Sequence, residues 1–286
     1  MALWKKIARL VNDPPPDNVF EVSEAGIAYA LHGETGFQNF EPGVLTVSPV
    51  ADNLLRPDAV AAALARISPP NGAKRRQAAV ILPDYAARVS LLDFDSFPTS
   101  PEEQLPLVRF RVKKTIPFDI DSAAVSYWAQ SPSTKAGAKK VEVVAVTVAH
   151  EILARYEAIF RAANFYPGEV TTSGLAALNL YNASGAAVIA KLTGNVLTVM
   201  AVDDGHLKLF RCLTIEDGSE EEILAVLNPT FAYIEDELGR KPEKLLLCGF
   251  AKPLEALHME MEPLRSRLGT PNAYNAGLLG YLEAAD

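Results

Sequence analysis

Few residues of this chain combine a reactive type with a spacing that could support chemistry. The four histidines lie far apart and lack the spacing of metal ligands: His32, His150, His206 and His258. The sequence contains no G-x-G-x-x-G, no Walker A motif and no H-E-x-x-H. Two pairs of aspartates fall at loop positions, where such residues commonly stabilise turns: Asp93 with Asp95, and Asp119 with Asp121. We therefore expect no metal site and no catalytic centre of a familiar type.

The bulk composition describes a folded protein that does not bind nucleic acid. A chain of 286 residues with 49% apolar and 22% charged residues can form two lobes, each with its own core. The net charge of −8 argues against nucleic acid as a partner. Cys212 and Cys248 form no C-x-x-C pair, and we expect both to be reduced. Because no apolar run reaches transmembrane length and no signal peptide is visible, a cytoplasmic location is expected.

The first eleven residues predict an amphipathic helix with a basic face. Leu3, Trp4 and Ile7 fall on the apolar side, whereas Lys5, Lys6 and Arg9 fall on the other side. A basic helix that carries a tryptophan is typical of contact with an anionic membrane surface. A solvated helix, or one that packs on its own domain, is an equally good interpretation. Three prolines at 14–16 follow as a stiff spacer.

The remaining sequence alternates strands and helices in two halves, which predicts an α/β fold of two lobes. Apolar segments at 19–22, 26–31, 78–82, 186–192, 196–202, 207–213 and 244–248 indicate strands. Ser219 and Glu222 have the spacing of a capping box at a helix start, and Asn228-Pro229 should kink or restart that helix. Pro167-Gly168 predicts a turn, and a further helix is expected from about Pro253.

The most distinctive stretch runs from residue 74 to residue 118. An apolar strand ends at Pro83-Asp84, and an extended segment follows at 88–92. Ser100, Pro101 and Glu103 then have the spacing of an N-cap, a first helical residue and a capping box. The helix ends in the sequence Lys114-Thr115-Ile116-Pro117-Phe118.

This stretch resembles the PilM family of type IV pilus assembly proteins, which are related to the division protein FtsA. The resemblance implies the two-lobed actin-like ATPase fold, with a small α/β subdomain inserted in the first lobe and a reduced second lobe. It divides the chain into a helix and spacer at 1–16, a first lobe at 17–77 with 165–185 and 270–286, an inserted subdomain at 78–164 and a second lobe at 186–269.

The resemblance also identifies the positions where an actin-like ATPase holds its nucleotide. An acidic residue and a glycine are expected in each of two phosphate loops. Glu21 could replace the first carboxylate, whereas Lys191 stands where the second carboxylate should be. Gly194 and Thr198 match other positions of the second phosphate loop. Gly249 matches one glycine of the adenosine loop, and Phe250 replaces the other. Since a lysine cannot hold Mg²⁺ or orient a water molecule, we expect weak ATP binding or none, and no hydrolysis.

The function that the resemblance implies is a non-catalytic cytoplasmic scaffold of a pilus or related secretion machine. Its partner would be the cytoplasmic tail of a PilN-type inner-membrane protein, held between the main lobe and the inserted subdomain. An assembly ATPase is a further candidate partner. The residues assigned to the groove are Arg88, Leu91, Ile116, Pro117 and Phe118, although core packing is the simpler role for Ile116 and Phe118. An active actin-like ATPase or phosphotransferase and the cytoplasmic domain of a type II secretion L protein remain alternatives.

Overall fold

A computed structural model describes residues 16–69, 76–130 and 140–285 of the chain. Its strands are β1 (Asn18–Ser23), β2 (Gly26–Leu31), β3 (Glu34–Asn39), β4 (Arg76–Leu82), β5 (Arg88–Phe94), β6 (Ala123–Ala129), β7 (Val141–Ala149), β8 (Phe165–Thr172), β9 (Ala186–Thr193), β10 (Val196–Asp203), β11 (His206–Thr214), β12 (Lys244–Cys248) and β13 (Met261–Pro263). Its α-helices are α1 (Pro57–Ile67), α2 (Pro101–Val112), α3 (His150–Ala162), α4 (Ser173–Ala177), α5 (Glu220–Leu238) and α6 (Ala276–Ala285). None of these helices is long and apolar enough to cross a membrane.

The first lobe is built on a mixed sheet with the strand order β3-β2-β1-β4-β8. Successive residues of β1 and β4 point to opposite faces of this sheet. Phe20, Val80 and Leu82 therefore pack on one face with α1 and α3, and Val19 and Ile81 pack on the other face with α4 and α6. Both faces of the sheet are thus covered by helices. The prediction of a turn at residues 167–168 is wrong, because these residues lie within β8, where Pro167 pairs with Ala78 of β4 and Gly168 lies at a shift in the register.

The second lobe has a sheet of the order β11-β10-β9-β12-β13 and one long helix, α5. The predicted cap is present, since the Glu222 N–H donates to the Ser219 hydroxyl at 3.3 Å. Helix α5 nevertheless continues through Pro229 instead of restarting there. It ends at Gly239, which has a positive φ of 65°. The helix predicted from Pro253 is not formed, and that segment has no regular structure.

The inserted unit is a three-stranded antiparallel sheet, β5-β7-β6, with α2 on one face. Its limits differ from the predicted 78–164, because β4 pairs within the first-lobe sheet and α3 packs in the first-lobe core. The inserted unit therefore spans residues 88–149. Helix α2 begins at Pro101 as predicted, but Ser100 bonds the Glu102 carboxylate instead of capping the backbone.

The inserted unit contacts both lobes with the face opposite α2. Val146 and Val148 of β7 join the first-lobe core, whereas Val89 and Leu91 of β5 pack against the second lobe. A side-chain amide adds a polar link: the Gln130 Nε2 donates to the carbonyl of Leu207 at 2.9 Å, and the Leu207 N–H donates to the Gln130 Oε1 at 2.8 Å. The hydrogen bonds of Gln130 attach the inserted unit to β11 of the second lobe.

Candidate functional site

The two lobes meet along a crevice where two hairpin turns face each other. One turn joins β1 to β2, and the other joins β9 to β10. A Cβ placed on Gly194 in the second turn would lie 3.0 Å from the Oε2 of Glu24 in the first turn. The crevice measures about 360 Å³, including the part that is open to solvent. Most of its polar lining comes from Glu21, Glu24, Asp84, Ser173, Lys191 and Thr193.

A buried ion pair joins the lobes at this crevice. The Lys191 Nζ, from β9 of the second lobe, lies 3.4 Å from the Oδ2 of Asp84, which follows β4 of the first lobe. Their side chains are only 3% and 2% exposed. The Thr198 hydroxyl of β10 donates to the same Oδ2 at 3.0 Å, and the Gly174 N–H donates to the Oδ1 at 2.6 Å. The Asp84 carboxylate therefore accepts hydrogen bonds from both lobes.

Glu21 is a second buried carboxylate beside this pair, and the alternation of β1 turns it toward α4 and α6. Its Oε2 accepts the N–H of Leu278 in the first turn of α6 at 2.7 Å, and its Oε1 accepts the Ser173 hydroxyl. Amides at a helix start favour a negative charge. Burial nevertheless raises the pKa of Glu21, and the nearby Lys191 ammonium opposes that shift.

The Lys191 ammonium lies at the centre of a network drawn from both lobes. Burial alone would lower its pKa, but the carboxylates of Asp84 and Glu21 outweigh burial and raise the pKa of Lys191. The ammonium also donates to the Thr193 hydroxyl at 2.7 Å, and that hydroxyl donates to the carbonyl of Ala273 at 2.9 Å. The lysine is thus charged and engaged by the protein's own side chains.

The arrangement of two lobes with an insertion matches solved structures. This chain matches a chain from the PilM-PilN type IV pilus biogenesis complex, with a TM-score of 0.68 and 14% identity. The match covers 96% of this chain and 100% of that chain. Over 93% of each chain, this chain also matches the cytoplasmic domain of EpsL, an inner membrane component of the type II secretion system of Vibrio cholerae, with a TM-score of 0.54 and 14% identity. The chain has the actin-like ATPase fold. No protein-family model and no curated protein matches the sequence.

The actin-like fold explains why residues far apart in sequence converge here. Its two lobes each present a strand–turn–strand at the cleft, and the predicted residues Glu21, Lys191 and Thr198 lie at the ends of these strands. Lys191 and Thr198 contact Asp84, and the carboxyl group of Glu21 interacts electrostatically with both Lys191 and Asp84. Gly194 lies in the second turn with a φ of 57°, which is the left-handed region that favours glycine.

Gly249, the remaining predicted residue, lies against protein backbone. It follows β12 with a φ of 80°, and a Cβ on it would lie 2.1 Å from the carbonyl oxygen of Leu192. The glycine therefore permits close packing of two strand ends. Phe250, which stands where the actin-like fold usually has a second glycine, packs against the second-lobe core.

Sequence reasoning missed two members of the network, Asp84 and Ser173. Asp84 carried a usable signal, because it follows the apolar run at residues 78–82 of β4, and polar residues at strand ends commonly meet in a cleft. Ser173 had no comparable signal. It is positioned by the junction of β8 and α4, and the prediction of a turn at residues 167–168 obscured that strand.

The five residues predicted to hold a partner do not share one surface. Leu91 faces the second lobe, whereas Ile116 and Phe118 pack with α2 on the opposite face of the inserted sheet. Pro117 is exposed. Arg88 is half-buried: its guanidinium lies 4.6 Å from the ring centroid of Tyr85 and donates to the carbonyl of Ala87 at 3.1 Å. The predicted membrane-contact residues Leu3, Trp4, Lys5, Lys6, Ile7 and Arg9 lie outside the described residues.

Proposed function

We propose that this chain is a non-catalytic scaffold of a type IV pilus or related secretion machine. The observation that carries the non-catalytic part is the buried pair of Lys191 and Asp84 at the point where the two hairpin turns converge. A nucleotide-dependent enzyme of this fold needs a carboxylate here to hold Mg²⁺ or orient water, and an ammonium can do neither.

Electrostatics support this proposal. Among the described residues that line the crevice, Glu21, Glu24 and Asp84 supply three carboxyl groups and Lys191 supplies the single cation. The ammonium and the Asp84 carboxylate already satisfy each other. A triphosphate would have to break that pair and bring its own negative charge toward the carboxylates, which is costly away from water. The residues present therefore do not fit Mg²⁺-ATP.

The proposed partner is the cytoplasmic tail of a PilN-type inner-membrane protein. The likeness to a chain of the PilM-PilN complex spans 96% of this chain and includes the inserted unit. Such a partner would recruit the protein to the cytoplasmic face of the inner membrane. Among the predicted contact residues, Arg88 has the position that best fits this role, since it lies where the inserted unit joins the first lobe and stacks on Tyr85 at the crevice.

A second candidate has structural support. The likeness to the cytoplasmic domain of EpsL favours a component of a type II secretion system, which would use the same fold as a scaffold. The two candidates differ in the partner and agree on the absence of catalysis.

A peptide titration tests the proposal. The purified protein is titrated by calorimetry with the cytoplasmic tail of the PilN-type protein from the same genome, with a scrambled tail alongside. We expect saturable binding of the tail. Arg88→Ala should bind the tail at least about tenfold more weakly, because it removes a half-buried side chain at the edge of the crevice. Arg66→Ala, an exposed arginine on α1, provides the matched control and should bind like the wild type. Equal binding of scrambled and native tails would overturn the partner assignment.

A further inference from the structure

Polar contacts between the lobes come from charged groups on opposite sides of the crevice. The carboxyl groups of Asp84 and Glu21 belong to the first lobe, and the cation Lys191 belongs to the second. Thr198 adds a second hydrogen bond from the second lobe to Asp84, at 3.0 Å. The first lobe holds its carboxylates rigidly, because the amides of Gly174 and Leu278 bond them at 2.6 and 2.7 Å.

An apolar junction of the lobes lies beside these polar contacts. That junction is a cluster in which Ala177 and Leu178 of the first lobe meet Ile189 and Met200 of the second. Odd- and even-numbered residues of β9 point to opposite faces, so Ile189 and Lys191 share one face of the second-lobe sheet. The cluster and the ion pair therefore secure neighbouring parts of the same inter-lobe surface.

Separating the lobes at the crevice would leave charged groups without partners. A buried charge that loses its counter-ion is strongly destabilising unless water reaches it. In proteins whose lobes close on a ligand, the ligand supplies the contacts that hold the closed arrangement. In this chain, the side chains of Lys191 and Thr198 supply such contacts to Asp84 across the crevice between the lobes.

We propose that Asp84, Lys191 and Thr198 form a built-in clamp that holds the two lobes closed without nucleotide. This inference rests on the proposed function, in which no nucleotide occupies the crevice. It adds that the closed arrangement is a fixed property of the scaffold, so that the surfaces formed jointly by the two lobes and the inserted unit are permanently available to a partner.

Hydrogen exchange of the full chain tests the clamp. Backbone amides of β9, β10 and the end of β4 should be protected in the wild type without nucleotide, and added Mg²⁺-ATP should leave their exchange unchanged. Thr198→Val keeps the shape of the side chain and removes its hydrogen bond to Asp84. It should speed exchange of these amides roughly tenfold while the core of the inserted unit remains protected.

Two variants guard against a trivial result. Thr214→Val, at an exposed position on β11, should exchange like the wild type. If Lys191→Met unfolds the protein, the double variant Asp84→Asn/Lys191→Met removes both charges of the ion pair. We expect this double variant to fold and to show the faster exchange at the crevice. Unchanged exchange in Thr198→Val and in the double variant would overturn the clamp.

Nucleotide dependence separates the clamp from the proposed function. Rapid exchange in the wild type that slows only when Mg²⁺-ATP is added would overturn both, because closure would then require the nucleotide. If the wild-type protein hydrolyses ATP while its amides are protected without nucleotide and Thr198→Val exposes them, the clamp stands and the non-catalytic function fails.

Discussion

The ammonium of Lys191 lies 3.4 Å from the carboxylate of Asp84, between two lobes that share no strand, and both side chains are almost fully buried. In an actin-like ATPase, this is where a nucleotide's phosphates and metal ion connect the lobes. Here the connection is made within the chain. We propose that the lysine, at a position where the resemblance places a carboxylate, serves a structural role instead of a catalytic one.

Removing the cation should destabilise the protein strongly. Lys191→Met leaves Asp84 and Glu21 buried without a counter-ion, and we expect a loss of about 3–5 kcal/mol in the free energy of unfolding, measured by urea denaturation. The control is Lys208→Met, which breaks the more accessible ion pair with Glu142 and should cost about 1 kcal/mol or less. Equal losses for the two variants would contradict this prediction.

Gly280 allows α6 to contact α4 closely. A Cβ on Gly280 would lie 2.2 Å from the carbonyl oxygen of Ala176, and the backbone cannot yield easily. Gly280→Ala should therefore lower the free energy of unfolding by about 1–3 kcal/mol in urea denaturation, despite the better helix propensity of alanine.

Gly168→Ala is the matched control for this substitution. Its Cβ would meet the end of the flexible Gln77 side chain, at 2.7 Å, which can move away. A midpoint for Gly280→Ala that equals that of Gly168→Ala would show that the helices can separate without cost.

Gln130 should be required for the attachment of the inserted unit to the second lobe. Gln130→Ala leaves the buried amide of Leu207 without its acceptor, and we expect a cost of about 1–3 kcal/mol together with faster hydrogen exchange at Leu207. Gln104→Ala removes hydrogen bonds to Pro98 and Tyr127 inside the inserted unit and serves as the comparison. Faster exchange at Leu207 in both variants would argue against a specific link.

Both cysteines should be unreactive in the native protein. Burial raises the pKa of Cys212 from 9.0 to about 12 and that of Cys248 from 9.0 to about 11. At pH 8 we expect a thiol reagent to modify the native protein at least tenfold more slowly than the urea-unfolded chain, because the thiolate is the reactive form. Equal rates would contradict the burial of these thiols.

The same shifts predict how stability depends on alkaline pH. Above pH 9 the unfolded thiols lose their protons while the folded thiols keep them, so the folded state binds more protons. The free energy of unfolding should therefore fall as the pH rises from about 9 toward 12. Cys212→Ala should reduce this slope relative to the wild type, as measured by urea denaturation at a series of pH values.

The sequence was informative where local signals were strong. Hydrophobic alternation and end residues predicted the helix start at Pro101, the cap of α5 by Ser219 and seven strands of the two lobes: β1, β2, β4, β9, β10, β11 and β12. The fold itself was predicted from the resemblance, and the structural likeness confirms it. Strand β8 was missed because proline and glycine ordinarily mark turns, whereas here both lie in a strand at the sheet edge.

The candidate site could be predicted only in part. Glu21, Lys191 and Thr198 were identified from the phosphate-loop positions. Asp84, which contacts Lys191 and Thr198, was missed because 107 residues of sequence separate it from Lys191. The five partner residues were assigned from their positions in the stretch that resembles the PilM family. The pleat of β5 and the position of α2 distribute them over opposite faces, which no local pattern records.

Calorimetric titration of the wild-type protein with Mg²⁺-ATP asks whether the crevice still accepts a nucleotide. We expect no saturable heat, because Lys191 and Asp84 pair with each other where the phosphates would have to enter. The PilN-type tail, titrated in the same buffer, shows that the protein sample is competent to bind. Saturable binding of Mg²⁺-ATP with a micromolar dissociation constant would contradict the account and favour an active ATPase.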